Sequence, residues 1–157
     1  LAGMAGLAFQ HQTFIRMAPE DGYSLGRAFE SQGEFEKALA CYREVSAGQL
    51  SRPMRLEILE AIGRCCKRLR RWEQAVAVWE TMIRLRPHHL SGYEELAKCF
   101  EHRRHDLPRA REIVRRAIET LTIKQQLGSD DMERQIMNRF IQRCRRIEKK
   151  LSRSGGR

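Results

Sequence analysis

The chain has 157 residues, 41% hydrophobic and 32% charged, with four prolines and a formal net charge of +10. That length supports one sizeable core, and the mixture suits a soluble helical protein. The longest apolar run, Leu1 to Phe9, is too short to span a bilayer and lacks the basic flank of a signal peptide, so no membrane is expected.

In chain order, residues 1–18 read as a helix weakened by Gly3 and Gly6, with Met4, Leu7, Phe14 and Ile15 on one face. Because the chain starts at Leu1, it is a candidate fragment of something longer. A first helix pair is expected over about 19–52. Pro19 suits a first helical position, Leu25-Gly26 and Phe29 follow, Gly33 suits the tight turn, and Ala38 and Tyr42 lie on the return helix. A second pair, about 53–87, contains Leu59, Ile62-Gly63, a basic turn, then Trp72, Ala75 and Trp79 at helical spacing on one buried stripe. Pro87 closes it, since proline lacks an N–H and clashes with the preceding turn. A third pair, about 88–122, has Tyr93, Leu96-Ala97, Phe100, Ala110 and Val114, with one residue inserted in the turn 101–107. Residues 128–151 are expected to form a basic capping helix, its apolar stripe running from Met132 through Phe140 to Leu151. The segment 152–157 reads as a disordered tail.

Gly63 and Ala97 are 34 residues apart, each preceded by an aliphatic residue. Gly26 precedes Ala38 by the 12 residues that also separate Gly63 from Ala75. Small residues at these points let two antiparallel helices cross closely. This period and these landmarks resemble the tetratricopeptide repeat (TPR). The expected fold is all-α: a right-handed α–α superhelix of about three TPR helix pairs, with an N-terminal helix and a C-terminal capping helix. Three pairs is the usual minimum, because each buries its face only against its neighbours.

The five cysteines lie inside expected helices and form no Cys-x-x-Cys, so buried reduced thiols in a cytoplasmic protein are expected and no metal or other cofactor. No Gly-rich phosphate loop, nucleophile elbow or metal-binding acid pair is visible, and Asp130-Asp131 reads as a helix start. The chain is therefore not expected to be an enzyme.

The charge is uneven. From Asp131 to Arg157 nine basic residues face three acids, and a second cluster runs from Arg64 to Arg71. Phosphate-binding candidates are Arg68, Arg70, Arg71, Arg139, Arg143, Arg146 and Lys150, since a basic stripe holds nucleic-acid phosphates through counterion release. The alternative is a solvated face that only keeps the protein soluble. In TPR proteins the first helix of each pair lines a concave groove. The groove candidates here are Tyr23, Arg27, Glu30, Glu60, Arg64, Lys67, Glu94, Lys98 and Glu101, and Arg27, Arg64 and Lys98 each follow a small-residue landmark, giving a basic column. The partner expected is a protein or acidic peptide, with nucleic acid as the other candidate. Tyr23 and Arg27 do not match the Lys and Asn with which some repeats clamp a terminal carboxylate.

The stretch from Tyr93 to Ala110, with Glu101-His102-Arg103 at its centre, resembles a pattern in bacterial proteins that carry a ribonuclease H-like, exonuclease-type domain followed by C-terminal TPR repeats. The opening Leu1 to Phe9 is similar to the helix that leaves that domain. Cys99 and His105 depart from the pattern. The resemblance implies a TPR scaffold for protein–protein interaction appended to a nuclease domain missing from this chain, whose metal-binding acids would lie upstream of Leu1. The alternative is an accessory domain whose basic helix and turns hold nucleic acid for that nuclease.

Overall fold

Spacing of small and apolar residues dictates helix pairs, and a computed structural model of the chain, describing residues 18–125 and 131–154, contains seven helices and no strand among those residues. They are α1 (Pro19–Ser31), α2 (Phe35–Ser46), α3 (Arg52–Arg68), α4 (Trp72–Leu85), α5 (Ser91–His102), α6 (Leu107–Gln125) and α7 (Asp131–Ser154). Each packs on the helices before and after it, so the pairs α1–α2, α3–α4 and α5–α6 stack into a superhelix ended by α7. Of the expected opening helix, 1–18, residues 1–17 lie outside the described residues.

Local chemistry sets the boundaries. Pro19 and Pro53 sit in the first turns of α1 and α3, where their missing N–H leaves nothing unpaired. The Ser51 hydroxyl accepts from the Met54 N–H and caps α3. Each pair turns through one residue with positive φ: Gly33 at 77°, Arg70 at 57° and His105 at 54°. The next N–H bonds back into the first helix, Glu34 to the Phe29 carbonyl and Arg71 to the Cys66 carbonyl, which satisfies the helix end. In the third pair Asp106 reaches back to Phe100, one residue further, as the insertion requires.

The core runs the length of the stack, and its joints are small-to-large pairs. A Cβ on Gly26 would lie 2.4 Å from the Tyr42 ring, and one on Gly63 would lie 2.7 Å from Trp79 Nε1. Aromatic rings thus fill the space the glycines leave. In the third pair the equivalents are Ala97 and Val114, both fully buried. Of the two tryptophans expected on one buried stripe, Trp79 is buried, but Trp72 is half-buried and carries the Arg103 guanidinium 5.1 Å from its ring.

The last helix seats Met137, Phe140 and Ile147 against the third pair. Met132, expected on that stripe, is 68% exposed, because it precedes the turn at which α7 meets the stack. The helix also runs on to Ser154, past Leu151, after which a tail was expected from Ser152.

Candidate functional site

The helices α1, α3, α5 and α7 share the inner face of the stack, and their long side chains are tied to one another across it. On α3, Arg64 makes a two-pronged contact with Glu30 of α1, Nε to Oε1 at 2.8 Å and Nη2 to Oε2 at 3.0 Å. The buried Tyr42 hydroxyl donates to the same carboxylate at 2.9 Å. The Arg64 hydrogen bond, followed by that from Tyr42, outweighs burial and holds Glu30 below the usual carboxylate range. Further along, Lys67 lies 2.6 Å from Glu95, and Lys98 lies 3.0 Å from Glu94 and 3.2 Å from Glu95. The basic column expected along the groove therefore stands beside a matching column of glutamates. Arg27 is exposed and has no ion pair among the described residues, and Tyr23 packs its ring 5.7 Å from Tyr42.

Glu101, expected on the groove wall, is instead sealed, with a side chain 0% exposed. Arg143, Arg146 and Lys150 of α7 converge on it at 3.2, 2.8 and 2.8 Å. Burial pushes this carboxyl up, but the hydrogen bonds from Arg146 and Lys150 win and hold it at about 2. Three of the cations considered for phosphates are thus gathered around one buried acid. Of the others, Arg71 pairs with Glu36 at 2.6 Å and Arg68 lies over the Phe35 ring at 5.5 Å. Arg70 and Arg139 are exposed. The outer face repeats the pattern one pair along, as Arg104 reaches back to Glu73 and Arg109 to Glu80.

Between these struts the inner face opens into two adjoining clefts. One, about 330 Å³, lies over Gly63, Trp79 and Met82 with Glu60 and Arg64 on its rim. The other, about 620 Å³, shares Lys67, Trp79 and Glu95 with the first and continues past Lys98 and Arg103 to Arg143 and Arg146. Sequence reasoning missed Glu95 and Trp79 as lining residues. Among the described residues no group of three His, Cys, Asp or Glu could hold a metal ion. No helix among them is long and apolar enough to cross a membrane.

A tetratricopeptide-repeat profile matches residues 23–53, and a second of the same description matches 67–124, together more than half of the chain. The chain belongs to the tetratricopeptide-repeat family. Among solved structures it is similar to the type III secretion translocator chaperone SycD of Yersinia enterocolitica, with 14% identity, a TM-score of 0.65 and 85% of each chain covered. It is also similar to PcrH in complex with the chaperone binding region of PopB, with 15% identity and a TM-score of 0.62, covering 80% of this TPR chain and 93% of that one. SycD in complex with a peptide of the translocator YopD aligns at 14% identity and TM-score 0.64, over 83% and 92% of the two chains. At such identities the likeness is one of fold. No curated protein matches the sequence, and nothing in these comparisons links the TPR chain to a ribonuclease H-like domain.

Proposed function

We propose that this TPR chain is a non-enzymatic scaffold that holds a segment of a partner protein along its inner face. The observation that carries the reading is the pair of adjoining clefts over Trp79 and Met82, apolar at the floor and charged at the rim. Concave surfaces of stacked repeats are suited to extended ligands. Two neighbours of similar fold, PcrH and SycD, were crystallised with a partner region or peptide, which supports a peptide ligand here. Four buried free thiols, among them Cys65 and Cys66, support a reducing, cytoplasmic setting.

The nuclease-linked reading rests on Glu101-His102-Arg103, and in this chain those residues have structural work. Glu101 anchors α7, His102 Nε2 lies 3.4 Å from the same carboxylate, and Arg103 stacks on Trp72. The reading of α7 as a nucleic-acid arm loses Arg143, Arg146 and Lys150 to Glu101.

Selection of displayed peptides on the immobilised protein, followed by hydrogen exchange with a selected peptide bound, tests the scaffold reading. Protection gained on α3 and α5 is expected. Protection confined to α2 and α6, or no enriched peptide, would overturn it. A duplex bound more tightly than any peptide, with affinity falling steeply between about 50 and about 200 mM salt, would put the nucleic-acid arm in its place.

A further inference from the structure

Trp79 carries a polar group that the fold leaves unused. Its side chain is nearly sealed, the residue being 3% exposed, yet its indole N–H has no hydrogen-bond partner among the described residues. Buried tryptophans ordinarily find a partner for that N–H, because a donor taken out of water without one gives up its hydration for nothing. No fully enclosed side-chain nitrogen or oxygen among the described residues is without a partner. The Trp79 N–H therefore keeps a narrow contact with solvent, and Trp79 lines both clefts. Gly63 provides the opening: a Cβ there would stand 2.7 Å from Nε1 and cover it. A phenyl ring would fill this joint without offering a donor, so the indole supplies something the packing does not need.

The surroundings say what the donor faces. The larger cleft is lined by five cations, of which Lys67 and Lys98 pair with Glu95 and Arg143 and Arg146 with the sealed Glu101, while Arg103 has no ion pair among the described residues. Glu94 takes part of the charge of Lys98, but the surplus remains positive. A donor in an apolar floor beside a cationic wall suits a backbone carbonyl flanked by acidic side chains. A chain lying extended alternates its side chains between floor and rim while its carbonyls stay within reach of the floor.

We propose that the cleft takes an extended acidic peptide, one backbone carbonyl of which accepts the Trp79 indole N–H while its carboxylates face Lys67, Lys98 and Arg103. This inference rests on the scaffold reading and specifies its ligand. The positive field raises the encounter rate and excludes basic segments, and the indole fixes register.

The probes are three synthetic peptides that alternate valine with glutamate, with lysine or with serine, titrated into ¹⁵N-labelled protein. The two indole signals are told apart with Trp72→Phe. The glutamate peptide is expected to bind, to move the Trp79 N–H signal downfield, and to weaken as salt is raised. Trp79→Phe, checked for native helicity, is expected to lose about tenfold in affinity, whereas Trp72→Phe loses little. Gly63→Ala is expected to weaken binding in parallel. Should the glutamate peptide bind without shifting the Trp79 signal, or should the serine or lysine peptide bind as tightly, the inference fails and the scaffold reading stands. If none of the three binds while selected peptides do, the inference fails alone; if selection also yields none, both fail.

Discussion

Glu101 and Arg146 sit 45 residues apart in sequence, yet their side chains meet twice, Nε to Oε1 at 3.0 Å and Nη2 to Oε2 at 2.8 Å. This planar fork clamps α7 to α5 in a single register, and Arg143 and Lys150 occupy what remains of the carboxylate. The clamp lies at the end of the larger cleft, so whatever fixes α7 also fixes one wall of the groove.

Glu101→Gln is expected to loosen that wall. It keeps the shape but leaves three cations facing one another around a buried neutral amide. Removing one partner of a buried pair costs about 3 kcal/mol. The loss should appear in α7 first, because a terminal element of a stacked repeat has a neighbour on one side only. Hydrogen exchange should show α7 amides losing protection while α1 to α4 keep theirs. Uniform loss along the chain would contradict a local clamp.

Acid should release the same helix. The folded-state value of Glu101, about 2, lies below its ordinary 4.5, so the charged form is the one the fold favours. Its stabilisation is complete above about 4.5 and is lost as the pH falls from there through about 2, a swing on the order of 3 kcal/mol. Glu30 and Glu95 are also held below the carboxylate range and add to the loss in the same direction. Thermal melts across this window should fall steeply in the native protein and less steeply in Glu101→Gln.

Three glycines should rank by what a methyl group would meet. At Gly26 a Cβ comes within 2.4 Å of the fully buried Tyr42 ring, which cannot move aside, so Gly26→Ala is expected to cost about 3 kcal/mol. At Gly22 the obstacle is a methyl group of Val45, which is only half-buried and has more room to shift than the sealed Tyr42 ring, so the cost should be smaller. At Gly33 there is open space but φ is 77°, and the left-handed backbone alone costs about 1 kcal/mol. Chemical denaturation midpoints of the three variants give the order directly.

The stack itself was legible because its joints recur: Gly26 and Gly63 announce the crossings, and Tyr42 and Trp79 follow each at the same interval. Gly33 was readable as a turn residue, and sliding the repeat along would have pointed to Arg70 and His105 as the other two left-handed positions. Those residues carry no such signal in their own chemistry. The role of Glu101 was not legible, since its partners lie on a helix whose register follows from how Phe140 and Ile147 pack. Nor was the pairing of Lys67 with Glu95, because charge columns look alike until the pitch of the stack decides which groups meet. Trp79 read as core, which it is; that its N–H stays open depends on the angle of the ring behind Gly63.

The thiols give a check on the core that needs no mutation. Cys65 is pushed up to about 12, chiefly by burial and next by the Glu30 charge, and burial likewise raises Cys41, Cys66 and Cys99. A thiol reagent attacks through the thiolate, so at neutral pH these four combine low access with a scarce reactive form. Cys144 on α7 is also raised by burial, but it is only half-buried and belongs to the helix that the Glu101 clamp holds. In native protein a disulfide reagent should therefore modify Cys144 first and the other four only after unfolding. Glu101→Gln should speed the reaction at Cys144 alone, identified by peptide mass. Equal acceleration at Cys65 would mean that the clamp supports the whole stack rather than its last helix.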